Sequence, residues 1–336
     1  MKRRAALLAA CSVALASFAQ SPPPDTFTRP EKGNCIACHQ LPEGAGRAGG
    51  GDVGPALAGA RMRELGAMRL RGLLEDPMQA NPATAMPPYG KHRILESAEI
   101  ARLVQYLQAL PDGAPAASPP AADSAATAAA AMPALLERGR AIWQRKFKDK
   151  RSLASCFPNG GRRIAASYPQ YDPRLKRVIT LETAINQCLK AHKEALFDPD
   201  DPETMALAVG YVRSLADGQK IAVRVPAAAE PKLEEGRRLY FTRMGQRNFA
   251  CASCHVQAAG KRYADRVLPP LEGQAAHGPL TSNGKAATMQ VRMRECLERM
   301  GAAPFLAGSD ELNHLEYFIT HASNGTVMRT AVKREP

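Results

Sequence analysis

Apolar positions at helical spacing recur along the chain in segments that run up to Tyr106–Gly113, Tyr211–Gly218 and Tyr317–Gly325, each ending on a glycine suited to a C′ cap. The same periodicity predicts a helix over Thr288–Met300 and another around Glu99–Leu110. The repetition extends to other stretches. Glu137-Arg138-Gly139-Arg140-Ala141-Ile142-Trp143 aligns without gaps to Glu234-Glu235-Gly236-Arg237-Arg238-Leu239-Tyr240, each upstream of a cysteine, and Ile185-Asn186-Gln187-Cys188-Leu189 resembles Met293-Arg294-Glu295-Cys296-Leu297. Between residues 113 and 132 the run GAPAASPPAADSAATAAAAM has no periodicity that could close a core and reads as an Ala/Pro-rich linker. A short Ala-rich helix over residues 125–131 would leave that division unchanged. The predicted organisation is three related helical units, at residues 20–112, 133–225 and 226–336.

Composition sharpens this picture in three ways. At 336 residues the chain favours two or three units, each with its own core, and its nine Phe, eight Tyr and one Trp against 27 Pro and 26 Gly favour short helices and loops. Residues 1–19 read as a secretory signal peptide, with Lys2, Arg3 and Arg4 ahead of an apolar stretch from Ala5 to Phe18, which implies a periplasmic protein. A rival lipoprotein processing site ending at Cys11 leaves only about six apolar residues, fewer than the ~7 to 15 of a usual signal core. No other apolar run reaches the length of a membrane span. The net charge of +13 is uneven: residues 20–112 carry ten basic and ten acidic side chains, so the excess beyond the signal lies in residues 133–336. A basic surface suits an anionic small molecule or an acidic protein, and export makes nucleic acid the least expected partner.

Cys35-Ile36-Ala37-Cys38-His39 and Cys251-Ala252-Ser253-Cys254-His255 are both C-x-x-C-H, the signature of covalent haem attachment. Two thiols at this spacing reach the vinyl groups of one porphyrin, and the adjacent histidine is carried to the iron. A redox dithiol or half of a zinc site would not explain the histidine each time. Two covalently bound haem c groups are therefore expected. In the second haem unit Met289, Met293, Met300, His277, His314 and Cys296 are all candidates for the sixth iron ligand.

Removing Cys11 and the four attachment cysteines leaves Cys156, Cys188 and Cys296. By the internal repeat Cys156 falls where Cys251 lies, but Phe157-Pro158-Asn159-Gly160 lacks the second cysteine and the histidine, so the middle unit attaches no haem. Cys188 falls where Cys296 lies. The expected outcome is a Cys156–Cys188 disulfide across the vacated pocket, the alternative being two separate buried thiols. Cys296 is then the odd thiol. Arg292 and Arg299 share its helical face, where two guanidiniums are expected to depress its pKa and to suit an oxyanion; a solvated face is the alternative.

The first unit, with Gly54-Pro55-Ala56-Leu57 and Met86-Pro87-Pro88-Tyr89-Gly90 after its haem motif, resembles class I cytochrome c, which implies Met86 opposite His39 on the iron. Met62, Met68 and Met78 lack that surrounding loop and read as core. Taken whole, the chain resembles the SoxAX cytochromes of bacterial thiosulfate oxidation: a SoxX-like unit carries CIACH, GDVGPALAG and MPPYG, and a SoxA-like part carries SCFPNGG, LETAINQC, CASCH and QVRMREC. The resemblance implies a mainly α fold of three cytochrome c-like units and a single-haem SoxA type with a disulfide in place of the other haem. It implies Cys296 as both ligand to the His255 haem and catalytic sulfur, and Arg292 as a catalytic residue. The implied activity is that of an L-cysteine S-thiosulfotransferase, joining thiosulfate to a cysteine of a SoxYZ-like carrier protein and passing two electrons to an external cytochrome c. A thiosulfate dehydrogenase forming tetrathionate, a dihaem electron carrier and a non-enzymatic scaffold are the rival readings. The tail Thr330-Ala331-Val332-Lys333-Arg334 departs from the family's T-P-A-V-R-R-like ending.

Overall fold

The computed structural model describes residues 23–46, 49–117, 124–198, 201–276 and 285–330. The expected signal peptide and the tail beyond Thr330 lie outside them. The fold is mainly α. Ten helices are described, α1 (Asp25–Thr28), α2 (Gly59–Glu75), α3 (Ser97–Gln108), α4 (Ser124–Gln144), α5 (Leu153–Cys156), α6 (Leu181–Ala191), α7 (Pro202–Ser214), α8 (Glu230–Phe241), α9 (Met289–Arg299) and α10 (Asp310–Ala322). Two antiparallel hairpins, β1 (Gln170–Asp172) with β2 (Arg177–Ile179) and β3 (Arg262–Tyr263) with β4 (Arg266–Val267), accompany them, and short 3-10 and π turns lie between the elements. Among the described residues no helix is long and apolar enough to cross a membrane.

Local sequence sets the helix ends. Thr180, Thr288 and Ser309 cap α6, α9 and α10 by accepting from the amides of Thr183, Val291 and Leu312. Glu96 and Glu99 form a reciprocal capping box on α3. The glycines expected at C′ caps lie further out, because the helices stop early. Gly218 and Gly325 sit in turns beyond the caps of α7 and α10 with φ of 80° and 88°, while α3 ends at Gln108, well before Gly113. The second half of the expected linker also differs, since α4 begins at Ser124 and runs without a break into the Glu137–Trp143 repeat.

The repeat has a packing origin. In α4 a Cβ on Gly139 would stand 2.3 Å from the Leu207 carbonyl of α7, and in α8 one on Gly236 would stand 2.0 Å from the His314 carbonyl of α10. Each glycine lets two helix backbones touch where they cross, and Trp143 and Tyr240, four residues on, are both fully buried.

The chain has two main cores rather than three. Phe27, Leu41, Leu70, Ile100 and Leu103 close the first unit, where Phe27 meets Tyr106 edge-on at 5.4 Å. Trp143, Ile185, Leu189, Tyr240, Leu312 and Tyr317 belong to one continuous core spanning the other two units. Main-chain bonds from Gly218 to Met328, Met328 to Gln219, Ile221 to Thr326 and Gly325 to Ile221 sew the end of the middle unit to the chain after α10.

Cys156, at the end of α5, is disulfide-bonded to Cys188 on α6, with the Cα atoms 6.0 Å apart. Beside it Asn159, Gly160 and Gly161 turn with positive φ, and the Gly160 carbonyl accepts from Trp143 Nε1 at 2.9 Å.

Gly236→Ala is expected to destabilise the chain by about 1–3 kcal/mol, as overpacking does, whereas Gly72→Ala, on the open side of α2, should not; denaturant unfolding of the two variants is the measurement. Replacing both Cys156 and Cys188 by Ala should cost about 3–4 kcal/mol in the same assay, from the 32-residue separation the bond closes.

Candidate haem and thiol sites

The first C-x-x-C-H begins on Asn34, whose left-handed backbone turns the chain into a 3-10 turn over Cys35–Ala37. The His39 amide folds back onto the Cys35 carbonyl at 2.9 Å. His39 Nδ1–H donates to the Pro55 carbonyl at 2.7 Å, which fixes the tautomer and leaves Nε2 unprotonated, the form able to ligate a metal. Gly54 makes this possible: a Cβ there would lie 2.4 Å from His39 Cε1. The second motif is built alike, with Cys254 and His255 on a π-helical turn over Ser253–Gln257 and His255 Nδ1–H donating to the Pro269 carbonyl at 2.8 Å.

The electrostatics suit haem attachment. Burial pushes the thiols of Cys35, Cys38 and Cys251 up to about 12 and that of Cys254 up to about 11. A redox dithiol needs a thiol depressed towards neutrality, so that alternative does not fit. Burial also lowers both histidines and keeps them neutral, the form that ligates iron. The four cysteines are unbonded to one another, as thioether formation requires.

Met86 lies half-buried against the first core. Its amide donates to Thr84 Oγ1 at 3.0 Å, and the loop is held at both ends. Buried Tyr89 donates its hydroxyl to the Gly33 carbonyl at 2.8 Å, just before Cys35, and Arg243 from the third unit donates to the Thr84 carbonyl at 2.7 Å and the Ala83 carbonyl at 3.0 Å.

Among the candidates near the second motif, Cys296 stands apart. It lies close enough to Cys251 and Cys254 for its charge to raise both thiols. Met293 and Met300 are buried, Met289 packs on the core, and buried His314 has Nδ1 3.0 Å from Glu235 Oε2 at the α8–α10 crossing. His277 lies outside the described residues. The expected depression of the Cys296 thiol does not occur in the polypeptide. Burial raises it, outweighing Arg299 and Arg292, which pull it down. Arg299 is partly engaged elsewhere, 3.4 Å from Glu295 on the surface. Arg292 is not on a solvated face: it lines a cavity with Arg213, Glu182 and Glu316.

Sequence reasoning missed how the two motifs meet. The turn after β3 reaches across to the first unit, where the Ala264 amide donates to the Ala37 carbonyl at 2.7 Å, inside the first C-x-x-C-H. The Asp52 amide donates to the Arg262 carbonyl at 3.0 Å, and Asn34 Nδ2 donates to the Tyr263 hydroxyl at 3.4 Å. Arg247 grips the Pro30 and Lys32 carbonyls, and His92 Nδ1–H donates to the Gln246 carbonyl at 2.7 Å. Cys38 and Cys254 consequently face each other within electrostatic reach. Part of the basic excess thus serves the first unit's main chain rather than an anionic ligand, something net charge could not reveal.

Residues 138–221 and 235–328 match the SoxA/TsdA cytochrome c domain family, and residues 26–107 match cytochrome c oxidase, cbb3-type, subunit III. The chain belongs to the SoxA/TsdA cytochrome c family. The L-cysteine S-thiosulfotransferase subunit SoxA of Chlorobaculum tepidum is 35% identical over 193 residues, covering 56% of this chain and 67% of that protein. The subunit of the same name from Allochromatium vinosum is 35% identical over 196 residues, covering 56% and 69%. The crystal structure of SoxXA from P. pantotrophus superposes with a TM-score of 0.53 at 23% identity over 60% of this chain and 80% of that one, a likeness of fold. This SoxAX-type cytochrome carries covalently bound haem c.

Gly54→Ala is expected to push His39 off its carbonyl and to lower haem incorporation at the first motif, with Gly72→Ala as the neutral control. Haem per protein, measured by pyridine haemochrome, checks it.

Proposed function

We propose that the protein joins thiosulfate oxidatively to a cysteine of a SoxYZ-like carrier protein in the periplasm, after removal of residues 1–19. The observation that carries this reading is Cys296, among the described residues the one cysteine outside the attachment pairs and the disulfide, lying beside the Cys251–Cys254–His255 motif with half-buried Arg292 one turn earlier. The names of the curated relatives support it. In balance, a carrier thiol and the thiosulfate dianion give a cysteine S-thiosulfonate, one proton and two electrons.

Two haem groups, held by Cys35, Cys38, His39 and Met86 and by Cys251, Cys254, His255 and Cys296, would supply two one-electron acceptors that are emptied by an external cytochrome c. The Cys296 thiolate forms a bond to the sulfane sulfur of thiosulfate as two electrons leave, and the carrier thiol then displaces Cys296 from that sulfur, taking the S-thiosulfonate group and releasing its proton to solvent. Arg292, half-buried beside the cavity, neutralises the thiosulfate charge and orients the anion towards that sulfur. The Pro55 and Pro269 carbonyls hold the two imidazoles in register. The middle unit, residues 133–225, serves as a haem-free scaffold: its disulfide joins the positions that correspond by repeat to Cys251 and Cys296. Residues 20–112 form the SoxX-like unit, 226–336 the catalytic unit, and 113–132 the connection to the first.

Cys296→Ala is expected to abolish thiosulfate-dependent haem reduction with the carrier present and to change the axial signature of one haem, leaving the Met86-type spectrum intact. Arg292→Ala should lower turnover by about 10²–10³-fold, as loss of one preorganised donor does. Tetrathionate formation by the wild type without a carrier would instead favour a thiosulfate dehydrogenase, and unimpaired turnover in Cys296→Ala would leave an electron carrier.

A further inference from the structure

The middle unit keeps its disulfide beside a histidine. Cys188 lies on α6, and His192, one turn later on the same helical face, ends that helix with its amide on the Cys188 carbonyl at 3.2 Å. One ring nitrogen of His192 lies within 4.8 Å of both the Cys156 and the Cys188 sulfurs. His192 Nδ1–H donates to Asp149 Oδ2 at 2.6 Å, and the Arg151 amide donates to the other oxygen of that carboxylate at 3.0 Å, so the ring is held by an anchored acid. Buried Phe147 packs against the imidazole with ring centroids 5.3 Å apart. Sulfur, imidazole and carboxylate thus follow one another in the order that activated sulfur chemistry uses.

The two sulfurs are not equivalent. Cys188 is only 6% exposed whereas Cys156 is half-buried, and the His192 side chain keeps 17% of its surface. An incoming nucleophile therefore meets Cys156, with Cys188 as the departing sulfur. The surroundings are cationic: Arg145-Lys146-Phe147-Lys148-Asp149-Lys150-Arg151 packs against Lys190-Ala191-His192-Lys193. Lys146, Lys148, Lys150, Lys190 and Lys193 are exposed, and among the described residues none of them is in an ion pair. The two nearby acids are engaged, Asp149 on His192 and Glu194 on the Lys148 amide at 3.0 Å. A purely structural disulfide requires neither an oriented imidazole nor unpaired cations around it, and the proposed conjugation uses neither His192 nor Asp149.

We propose that Cys156 and Cys188 form a thiol–disulfide exchange site for small anionic thiols, with His192 as proton donor to the departing sulfur. The thiolate of one such molecule bonds to Cys156 Sγ as the Cys156–Cys188 bond breaks. The electron pair of that bond goes to Cys188 Sγ, which takes a proton from His192, and His192 regains one from solvent. A second thiolate attacks the sulfur of the bound thiol and displaces Cys156, which is protonated from solvent. In balance, two thiols and the protein disulfide give one small disulfide and two cysteine thiols, two electrons and two protons having passed to the protein. The lysines raise the local concentration of the anionic thiolate, and half-buried Cys156 is reached more readily by a small molecule than by the face of another protein. The inference draws on neither haem motif and is independent of conjugation at Cys296.

Reduction of the full-length holoprotein under native conditions tests it. The protein is incubated with 2-mercaptoethanesulfonate or with cysteamine at matched thiolate concentration, free thiols are alkylated, and the state of Cys156 and Cys188 is read by peptide mass. The anionic thiol should reduce the bond about tenfold faster than the cationic one at low ionic strength, a gap that narrows in salt, and a transient adduct should map to Cys156. Replacing Lys148 and Lys193 together by Gln should narrow the same gap. His192→Ala should slow reduction by about 10²-fold, as loss of a general acid does, whereas a merely structural histidine would loosen the site on removal and speed reduction. Reduction seen only where denaturant unfolds the chain, equal rates for the two thiols, an adduct on Cys188, or a folded His192→Ala reduced at the wild-type rate or faster would each overturn the proposal. If His192→Ala does not fold, the wild-type comparison of the two thiols and the position of the adduct still decide it.

Discussion

The arrangement rests on one main-chain contact, the bond from the Ala264 amide to the Ala37 carbonyl. It joins the turn after β3 to the middle of the first attachment motif, so the two thiol pairs are positioned relative to each other by backbone. The hydrogen bond across the flanking Asp52 and Arg262 strengthens the same joint, and the arginine contacts to the Met86 loop lie around it. Backbone pairing fixes that spacing more rigidly than long side chains would, since they lose more rotamer freedom when held.

The parts of the molecule legible in the sequence are those whose chemistry demands neighbours in the chain. Two thiols and a histidine must be adjacent to grasp one porphyrin, so both motifs stand out. The Glu137 and Glu234 repeats are legible for a related reason: a close helix crossing requires Gly139 or Gly236, and a large aromatic ring follows one turn later to fill the junction. Helix α9 was legible to within one residue at each end, Thr288–Met300 expected against Met289–Arg299 in the fold.

Other features are assembled from distant segments and left no local trace. The bonds between residues 218–221 and 325–328 merge two units into one core, and nothing in either segment announces its partner. The buried Glu182, Arg213 and Glu316 come from three helices, each reading singly as an ordinary charged position. The Cys296 thiol was misjudged because counting nearby arginines omits the desolvation term, which here is larger than their attraction. The basic excess over residues 133–336 was read as suiting an anion, whereas two of its members, Arg243 and Arg247, are engaged with carbonyl oxygens.

That engagement has an evolutionary corollary. A carbonyl oxygen is offered by every amino acid, so a guanidinium that grips Ala83, Thr84, Pro30 or Lys32 through the main chain recognises the path of the backbone and not its side chains. The first unit's surface residues can therefore drift without loosening the joint, provided its loops keep their course. Because both partners sit on one polypeptide, their high effective concentration spares the joint from needing strong affinity, and substitutions that would dissolve a two-chain complex become tolerable.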